Sequence, residues 1–290
     1  MNGILIIDKP AGWTSFDVIA KLRGILGTRR IGHSGTLDPM ATGVLPVFVG
    51  PAARAVDLQT DHTKEYIASV RFGIATDTGD ITGTMTASAD CAVTAAQLRD
   101  VLPRFIGVQQ QLPPMYSAVK VDGQPLYKLA RRGQQVERTP RTITVHALEL
   151  LEQTGENEFS LRILCSKGSY VRVLLEDIGA ALGVPAAMAA LRRTRSGRYT
   201  LDGALTLEAV QTARADGTLD ALLAGVDTVF DTLPAVTVNE KTAEKLKNGS
   251  PTPLRHPDAR LRVYAQDGAF LGVARVQDGI LQVEKLFIER

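Results

Sequence analysis

One stretch of the sequence, residues 32–46, displays a single carboxylate on a loop suited to approach a ligand closely. Glycines stand at positions 32, 35 and 43, and Pro39 directly follows Asp38. Glycine lets a backbone turn tightly, while proline restricts the chain at its own position. Asp38 could therefore serve as a nucleophile or a base held on a stiff loop. The alternative is an ordinary surface turn with a solvated acid, because Asp before Pro is common in turns.

The full run is Gly-His-Ser-Gly-Thr-Leu-Asp-Pro-Met-Ala-Thr-Gly-Val-Leu-Pro, and it resembles the catalytic motif of the TruB family of RNA pseudouridine synthases. Asp38 stands at the nucleophile position of that motif. Other segments resemble the same family and occur in its order over most of the chain. These segments are residues 2–15, 64–66, 114–118 and 165–172.

The resemblance implies an isomerase that turns uridine into pseudouridine in the T loop of tRNA, at position 55, after flipping the nucleotide out. It implies that Tyr66 stacks on the flipped uracil and that Arg172 lies next to Asp38. An arginine within about 4–6 Å typically lowers the pKa of an aspartate by about 1–3 units. We therefore expect Asp38 to remain ionised at neutral pH. A tyrosine in the core of a strand is the alternative for Tyr66.

Four further residues match family positions near this site and are expected to bind the substrate. The resemblance implies that His33 stacks into the RNA loop where the extruded base left a gap, although a passive histidine in a glycine loop is the alternative. Leu191 is expected to wall the base pocket. Tyr170 and Lys9 would lie beside the site, with a structural role favoured for Lys9.

The implied reaction makes no demand for a cofactor. It breaks the bond between N1 and C1′, rotates the uracil and rejoins it through C5, with no redox change, so one carboxylate and a base pocket suffice. Cys91, Cys165 and the four histidines are scattered and do not have the spacing of metal ligands. We expect neither a cofactor nor a metal.

Basic residues are concentrated in two short stretches, although the net charge is only +2. Such stretches in a nearly neutral protein favour a confined footprint for a polyanion such as tRNA, although solvated faces are an equal alternative for either one alone. The arginines that we expect to grip phosphate are Arg131, Arg132, Arg141, Arg192 and Arg193.

Composition is typical of a globular protein. The chain has 290 residues, of which 44% are hydrophobic, and a mean hydropathy of +0.02. A charge occurs too early for a secretory signal, and no apolar run reaches the length of a membrane span. We expect a cytoplasmic monomer without membrane contact.

The resemblance implies an α/β (α+β) protein, and hydrophobic periodicity predicts both strands and helices. Strands are predicted around residues 4–7, 44–49, 66–72, 143–151 and 159–165, and helices after residues 14, 94 and 170. Together with the resemblance, this predicts a pseudouridine-synthase fold, in which helices flank a central mixed, mainly antiparallel sheet. The turn-rich residues 76–83 are predicted to form a loop. Its acids could bind a cation, but a solvated connector is favoured.

The pattern of hydrophobic residues changes in the last part of the chain. Short alternating strands are predicted between residues 261 and 290, separated by turns at Gly268 and Gly279, with a capped helix before them. We expect a catalytic domain over residues 1–230 and a small β-rich domain over residues 231–290, which resembles the PUA-type RNA-binding domain of the family.

Two other classes of function stay open on sequence alone. An RNA-binding or tRNA-folding module would also use basic stretches and a PUA-like domain, but it has no need of Asp38. A glycoside hydrolase also uses carboxylates at C1′, but it needs an acid and a nucleophile as a pair, and no motif supplies the second carboxylate.

Overall fold

A nine-stranded sheet forms the centre of the molecule in the computed structural model, which describes residues 1–288. Its main path runs β1-β3-β12-β4-β11-β10-β7, with β2 paired to β3 and β13 paired to β12. Of these pairings only β12 with β3 is parallel. The predicted mixed, mainly antiparallel sheet is confirmed. The strands are β1 Gly3–Lys9, β2 Ile31–His33, β3 Thr42–Val49, β4 Lys64–Phe72, β5 Ile74–Thr76, β6 Met85–Ser88, β7 Gly107–Gln111, β8 Lys120–Val121, β9 Gln124–Pro125, β10 Arg141–Gly155, β11 Glu158–Cys165, β12 Ala186–Ser196, β13 Tyr199–Thr200, β14 Ala235–Val238, β15 Thr252–Pro253, β16 Ala259–Ala265, β17 Phe270–Gln277 and β18 Ile280–Leu286.

Helices cover the sheet where the sequence pattern predicted them. Helix α1 begins after Thr14, whose side chain accepts a hydrogen bond from the backbone N–H of Asp17, and it ends at Gly27 with a φ of 64°. A capping box at Thr94 likewise starts α2, and the chain tightens into a 3₁₀ turn at Pro103. The helices are α1 Ser15–Leu26, α2 Ala95–Val101, α3 Leu126–Ala130, α4 Val171–Ala181, α5 Leu207–Ala215 and α6 Glu240–Lys247, with 3₁₀ helices at Gly50–Leu58, Leu102–Phe105, Leu219–Leu222 and Val226–Phe230.

Two helix pairs build the two main cores on the sheet. Helices α2 and α4 pack over β4, β10, β11 and β12, where Val70, Phe159 and Leu175 are buried. Helices α1 and α5 pack over β1 and β3. Burying one large aliphatic or aromatic side chain contributes about 1.5–3 kcal/mol, so these cores fix β4, β12 and α4 relative to one another. The candidate site lies where these three elements meet.

The predicted β-rich segment near the C-terminus is also confirmed, within the described residues. Its five strands are ordered β14-β16-β17-β18-β15. Helix α6 is capped by Asn239, whose side chain accepts a hydrogen bond from the N–H of Thr242. Phe230 and Phe287 pack with Phe48 of β3 in one shared core. The predicted domain over 231–290 includes residues 289 and 290, which lie outside the described part of the chain.

The prediction of a solvated connector at residues 76–83 is wrong at Asp80, although Asp77, Ile81 and Thr82 are exposed. Asp80 is buried, and its carboxylate accepts hydrogen bonds from the Thr78 hydroxyl and from the hydroxyl and N–H of Thr82. The backbone N–H of Ile81 donates to Met188 on β12. Short polar side chains satisfy one another here, which lets a turn-rich loop pack inward beside the candidate site.

Within residues 1–288, no helix is both long enough and apolar enough to span a membrane.

Candidate active site

A pocket of about 280 Å³ opens where the 35–38 loop faces β4, β12 and the start of α4. Asp38, Tyr66, Arg172 and Leu191 all line it, although they are far apart in the sequence. Strand pairing explains part of this convergence, because Tyr66 of β4 lies opposite Arg193 of β12. The structure therefore brings the three residues expected to do chemistry to one cavity.

Arg172 fixes the carboxylate of Asp38 in this pocket. Its Nε donates to Oδ2 of Asp38 at 2.9 Å, and the arginine side chain is only 4% exposed. The two remaining guanidinium nitrogens donate to the carbonyls of Thr78 at 2.6 Å and Tyr116 at 2.8 Å. All three nitrogens are thus engaged, so the guanidinium has one orientation and holds Asp38 in one place.

The expected fall in the pKa of Asp38 is wrong. Burial in the pocket raises the pKa of this carboxyl above its ordinary value, the Arg172 ion pair opposes the rise, and the nearby carboxylate of Asp80 adds to it. The side chain of Asp38 keeps 35% exposure at the pocket mouth. Loss of water around the carboxylate outweighs the neighbouring cation, an effect that a sequence does not show.

Lys9 holds the loop after Asp38 and does not line the pocket. Its side chain is 0% exposed, and its Nζ donates to the carbonyls of Pro10 at 2.8 Å, Trp13 at 2.6 Å and Pro39 at 3.3 Å. Burial lowers the pKa of Lys9 to about 8. The expectation of substrate binding is corrected, because the ammonium is enclosed by backbone; the structural role fits the contacts.

Two other features of the 35–43 loop had no clear signal in the sequence. The hydroxyl of Ser15 accepts a hydrogen bond from the N–H of Leu37 at 2.9 Å and donates to its carbonyl at 3.3 Å, which ties the start of α1 to the loop. Gly43 has a φ of 102°, and a Cβ there would lie 2.2 Å from the carbonyl oxygen of Arg193. Only glycine allows β3 and β12 to pair this closely.

Tyr66 and Leu191 form the apolar wall of the pocket. Both are buried, and burial raises the pKa of the Tyr66 hydroxyl, with the nearby Arg193 guanidinium acting in the opposite direction. Tyr170 caps the start of α4 at the pocket edge. Its N–H donates to the side-chain oxygen of Gln111 at 2.7 Å, and its carbonyl accepts from the Gln111 amide at 3.1 Å. These contacts fix the backbone beside Arg172.

Arg193 is not available to grip phosphate on the surface, and that expectation is corrected. Its side chain is 1% exposed. Its Nε donates to the carbonyl of Val44 at 2.7 Å, and its terminal nitrogens donate to Gly35 at 3.1 Å and Thr36 at 3.5 Å. Neighbouring residues of a strand point to opposite faces of the sheet. In β12 this alternation turns Arg193 inward, so the arginines of this basic stretch do not all lie on one face. Arg193 instead braces the loop that carries Asp38.

The remaining arginines lie on the outside. Arg192 is partly exposed and pairs with Asp8 at 2.8 Å. Arg131, Arg132 and Arg141 are exposed, and the Arg131 guanidinium lies 5.6 Å from the centre of the Tyr127 ring. These positions leave them accessible to a polyanion.

His33 ends β2, opposite Val47 of β3, and does not line the 280 Å³ pocket. It is partly buried, and within the described residues its Nδ1 has no hydrogen-bond partner. Burial lowers the pKa of the imidazole, and Arg193 lowers it further. The ring is therefore neutral at physiological pH.

Lys64 is a pocket residue whose chemistry the sequence did not reveal. It is 9% exposed, and its Nζ donates to the Ser196 hydroxyl at 2.7 Å. Burial lowers the pKa of Lys64 to about 8, and repulsion from Arg193 contributes. Among residues 1–288, no three His, Cys, Asp or Glu side chains converge in a way that would hold a metal ion.

Comparison with family models matches nearly the whole chain. The model described as TruB family pseudouridylate synthase (N terminal domain) matches residues 23–171. The model described as tRNA pseudouridylate synthase B C-terminal domain matches residues 172–231, and that described as Pseudouridine synthase II TruB, C-terminal, matches residues 234–287.

Individual proteins and structures agree with these models. A protein of Ralstonia nicotianae named tRNA pseudouridine synthase B is 43% identical over 296 residues, covering 99% of this chain and 94% of that protein. One of Burkholderia mallei with the same name is 42% identical over 296 residues, covering 99% and 97%. A chain in the crystal structure of a Cbf5-Nop10-Gar1 complex is 26% identical with a TM-score of 0.73, covering 99% of this chain and 85% of that chain.

Proposed function

Since the chain belongs to the TruB family of pseudouridine synthases, we propose that it acts on the uridine at position 55 in the T loop of tRNA. The reaction is the isomerisation of uridine to pseudouridine in tRNA, and the protein is an isomerase. We infer Asp38, Tyr66 and Arg172 to be its catalytic residues.

The observation that carries the residue roles is the ion pair of Asp38 and Arg172 inside the pocket, with Nε and Oδ2 2.9 Å apart. A carboxylate next to C1′ of the flipped nucleotide can act in either of two ways. It can attack C1′ and form a covalent intermediate, or it can remove a proton from C2′ and leave a glycal. Both routes need an ionised carboxylate with a fixed direction, which Arg172 provides.

The flipped uracil needs a platform while it is detached from the sugar. Tyr66 offers its ring face and Leu191 an apolar wall, and both line the pocket that Asp38 faces. Stacking of a base on an aromatic ring contributes about 1–3 kcal/mol, which helps to offset the cost of extruding the nucleotide. The same platform lets the base turn so that C5 replaces N1 opposite C1′.

The rest of the tRNA is gripped outside the pocket. Arg131, Arg132 and Arg141 are exposed and Arg192 is partly exposed; we assign these four to phosphate contacts. His33 is assigned to the space that the extruded base leaves in the loop, for which a neutral imidazole is suited because it stacks without the cost of desolvating a charge. Residues 1–230 would form the catalytic domain and residues 231–290 the RNA-binding domain of a cytoplasmic monomer.

A direct test uses an RNA hairpin with the sequence of the T arm. Wild type and Asp38→Asn would each be incubated with it, and pseudouridine mapped by carbodiimide-dependent primer extension. We expect one stop at position 55 with wild type and none with the variant. Product at another uridine alone would refute the target, and product formed by Asp38→Asn would refute the role of Asp38.

An RNA-folding role is a second candidate, because the exposed arginines and the C-terminal sheet lie outside the pocket and do not depend on it. Refolding of a misfolded tRNA by Asp38→Asn at the wild-type rate would support that role in addition to catalysis.

A further inference from the structure

The pocket holds more positive charge than its single acid can balance. Four of the described residues that line it are basic, namely Lys64, Lys167, Arg172 and Arg193, whereas Asp38 is the one acidic residue among them. Arg172 already neutralises Asp38 through their ion pair. Lys64 and Arg193 are both buried, so their charge is not simply dispersed into solvent.

Lys64 is the less satisfied of these two buried cations. Its ammonium has three N–H donors, but its one protein partner within residues 1–288 is the Ser196 hydroxyl. Arg193, by contrast, donates to three backbone carbonyls. Burying a cation without an ion-pair partner costs free energy; the nearby Arg193 adds repulsion, which the more weakly acting Asp61 offsets only in part. The cost is explained if a negative charge forms in the pocket during the reaction.

Both cations face the position where the base would lie. Lys64 and Tyr66 share one face of β4, about 7 Å apart along the strand. A Cβ added to Gly35 would lie 3.6 Å from both Cε of Lys64 and a terminal nitrogen of Arg193, so both line the same edge of the loop that carries Asp38. Because Gly35 has no side chain, nothing from that residue covers them.

Isomerisation generates a negative charge on the base. When the bond between N1 and C1′ breaks, its electron pair stays with the uracil, which becomes an anion shared between N1 and its two carbonyl oxygens. C1′ is left electron-poor, and either a bond to Asp38 or loss of the C2′ proton compensates it. The charge on the base disappears when C5 bonds to C1′, as the bond from Asp38 to C1′ breaks or C2′ regains its proton; C5 then loses its proton and N1 takes one up.

We propose that Lys64, supported by Arg193, is a further catalytic residue that stabilises the anionic uracil while it is detached. This rests on the proposed isomerisation and holds for both the covalent and the glycal route, since both create the same anion. A fixed cation aimed at a developing charge, in a pocket that excludes water, is an efficient form of transition-state stabilisation. A contact between Lys64 and an RNA phosphate is the competing explanation.

Lys64 is the better residue to change, because loss of Arg193 would leave three carbonyls without donors. The variants are Lys64→Met, Lys64→Arg and, as a control, Lys21→Met at an exposed position of α1. Tritium release from T-arm RNA labelled at C5 of the target uridine would be followed with enzyme in excess, and RNA affinity and melting temperature measured in parallel.

Lys64→Met is expected to lower the single-turnover rate on the order of 10²-fold, with an RNA Kd within about twofold of wild type. Lys64→Arg keeps the charge and should retain most of the rate. The control should match wild type. An unchanged rate in folded Lys64→Met would overturn the proposal, as would a weaker Kd with an unchanged rate, which would indicate the phosphate contact. If wild type itself released no tritium, the proposed function would be refuted instead.

The pH profile gives a second readout that does not need Lys64→Met to fold. The Lys64 ammonium loses its proton near pH 8, because burial lowers its pKa to about that value. The wild-type rate should therefore fall above that pH, and Lys64→Arg should hold its rate to higher pH. The groups that face Lys64 are Asp61, Cys165, Lys167, Arg193 and Ser196. Lys9 also has a pKa of about 8 and could cause the same fall in rate. If the rate of Lys64→Arg fell at the same pH as that of wild type, the assignment to Lys64 would be overturned.

Discussion

Replacing Arg172 by methionine is expected to move the acidic limb of the rate profile to higher pH. Burial raises the pKa of Asp38, and Arg172 is the largest influence that opposes this rise. An adjacent arginine lowers the pKa of an aspartate because it favours the charged form, so removing Arg172 should raise the pKa of Asp38 further. Asp38 is active when ionised, so activity is lost as pH falls through its pKa, and a higher pKa moves that loss upward.

The rate at the plateau should fall as well, because Asp38 would lose its fixed direction. The expected loss is on the order of 10²-fold, the usual effect of removing one preorganised group at a reacting centre. Arg172→Lys keeps a charge but cannot reach the three acceptors that now bind three guanidinium nitrogens, at Asp38, Thr78 and Tyr116. Arg172→Lys should therefore shift the acidic limb less than Arg172→Met does, but recover little of the wild-type rate.

The assay is single-turnover tritium release from T-arm RNA between about pH 5 and pH 8, a range that spans the expected shift. Asp80→Asn is the matched control in the opposite direction, because the Asp80 carboxylate raises the pKa of Asp38. Its acidic limb should move to lower pH. The electrostatic reasoning would be refuted if the limb stayed in place in both variants, or if Arg172→Met moved it downward.

Further substitutions test other parts of the structure. Tyr66→Phe should keep RNA affinity, whereas Tyr66→Ala should weaken it by about 1–3 kcal/mol, and equal affinities by filter binding would exclude stacking. Gly43→Ala should lower the melting temperature far more than Gly12→Ala, because both have a positive φ but only the first Cβ meets backbone; similar melting temperatures would contradict the close packing. Arg132→Gln should reduce the salt slope of RNA binding by about 0.7, and an unchanged slope would exclude a phosphate contact. Lys64→Met should raise the free energy of unfolding at pH 7 by about 2 kcal/mol. A pKa lowered to about 8 shows that the charge of Lys64 destabilises the fold, and removing that charge outweighs the loss of one hydrogen bond. A variant less stable than wild type in urea unfolding would contradict this.

Strands, helices and caps were predictable because they depend on local patterns. Alternation along β4 turned Tyr66 inward, and Thr14 and Gly27 bounded α1 as their side-chain chemistry requires. Which of these elements meet around Asp38 was predicted only from the resemblance to the family.

The sequence was a poor guide wherever the answer depended on burial. Arg192 and Arg193 look alike in a basic run, but neighbouring residues of a strand point to opposite faces, and only the second is enclosed. Asp80 looked solvated because its turn is polar, yet the loop packs inward and acts on Asp38. The pKa of Asp38 was misjudged for the same reason, since desolvation opposes the arginine.

Lys64 illustrates a different limit. The residue belongs to a recognisable motif, but its significance depends on which charges surround it in the pocket, and these come from β4, β11, β12 and a loop. No spacing in the sequence encodes that sum of charges.

The central claim is that Asp38, held by Arg172, performs the chemistry on one uridine. Its most direct test is tritium release from T-arm RNA labelled only at position 55, by wild type and by Asp38→Asn, with RNA affinity measured for both. Wild type should release tritium and Asp38→Asn should release none, while the variant should still bind RNA with a Kd within about threefold of wild type. Release by Asp38→Asn at a comparable rate would contradict it.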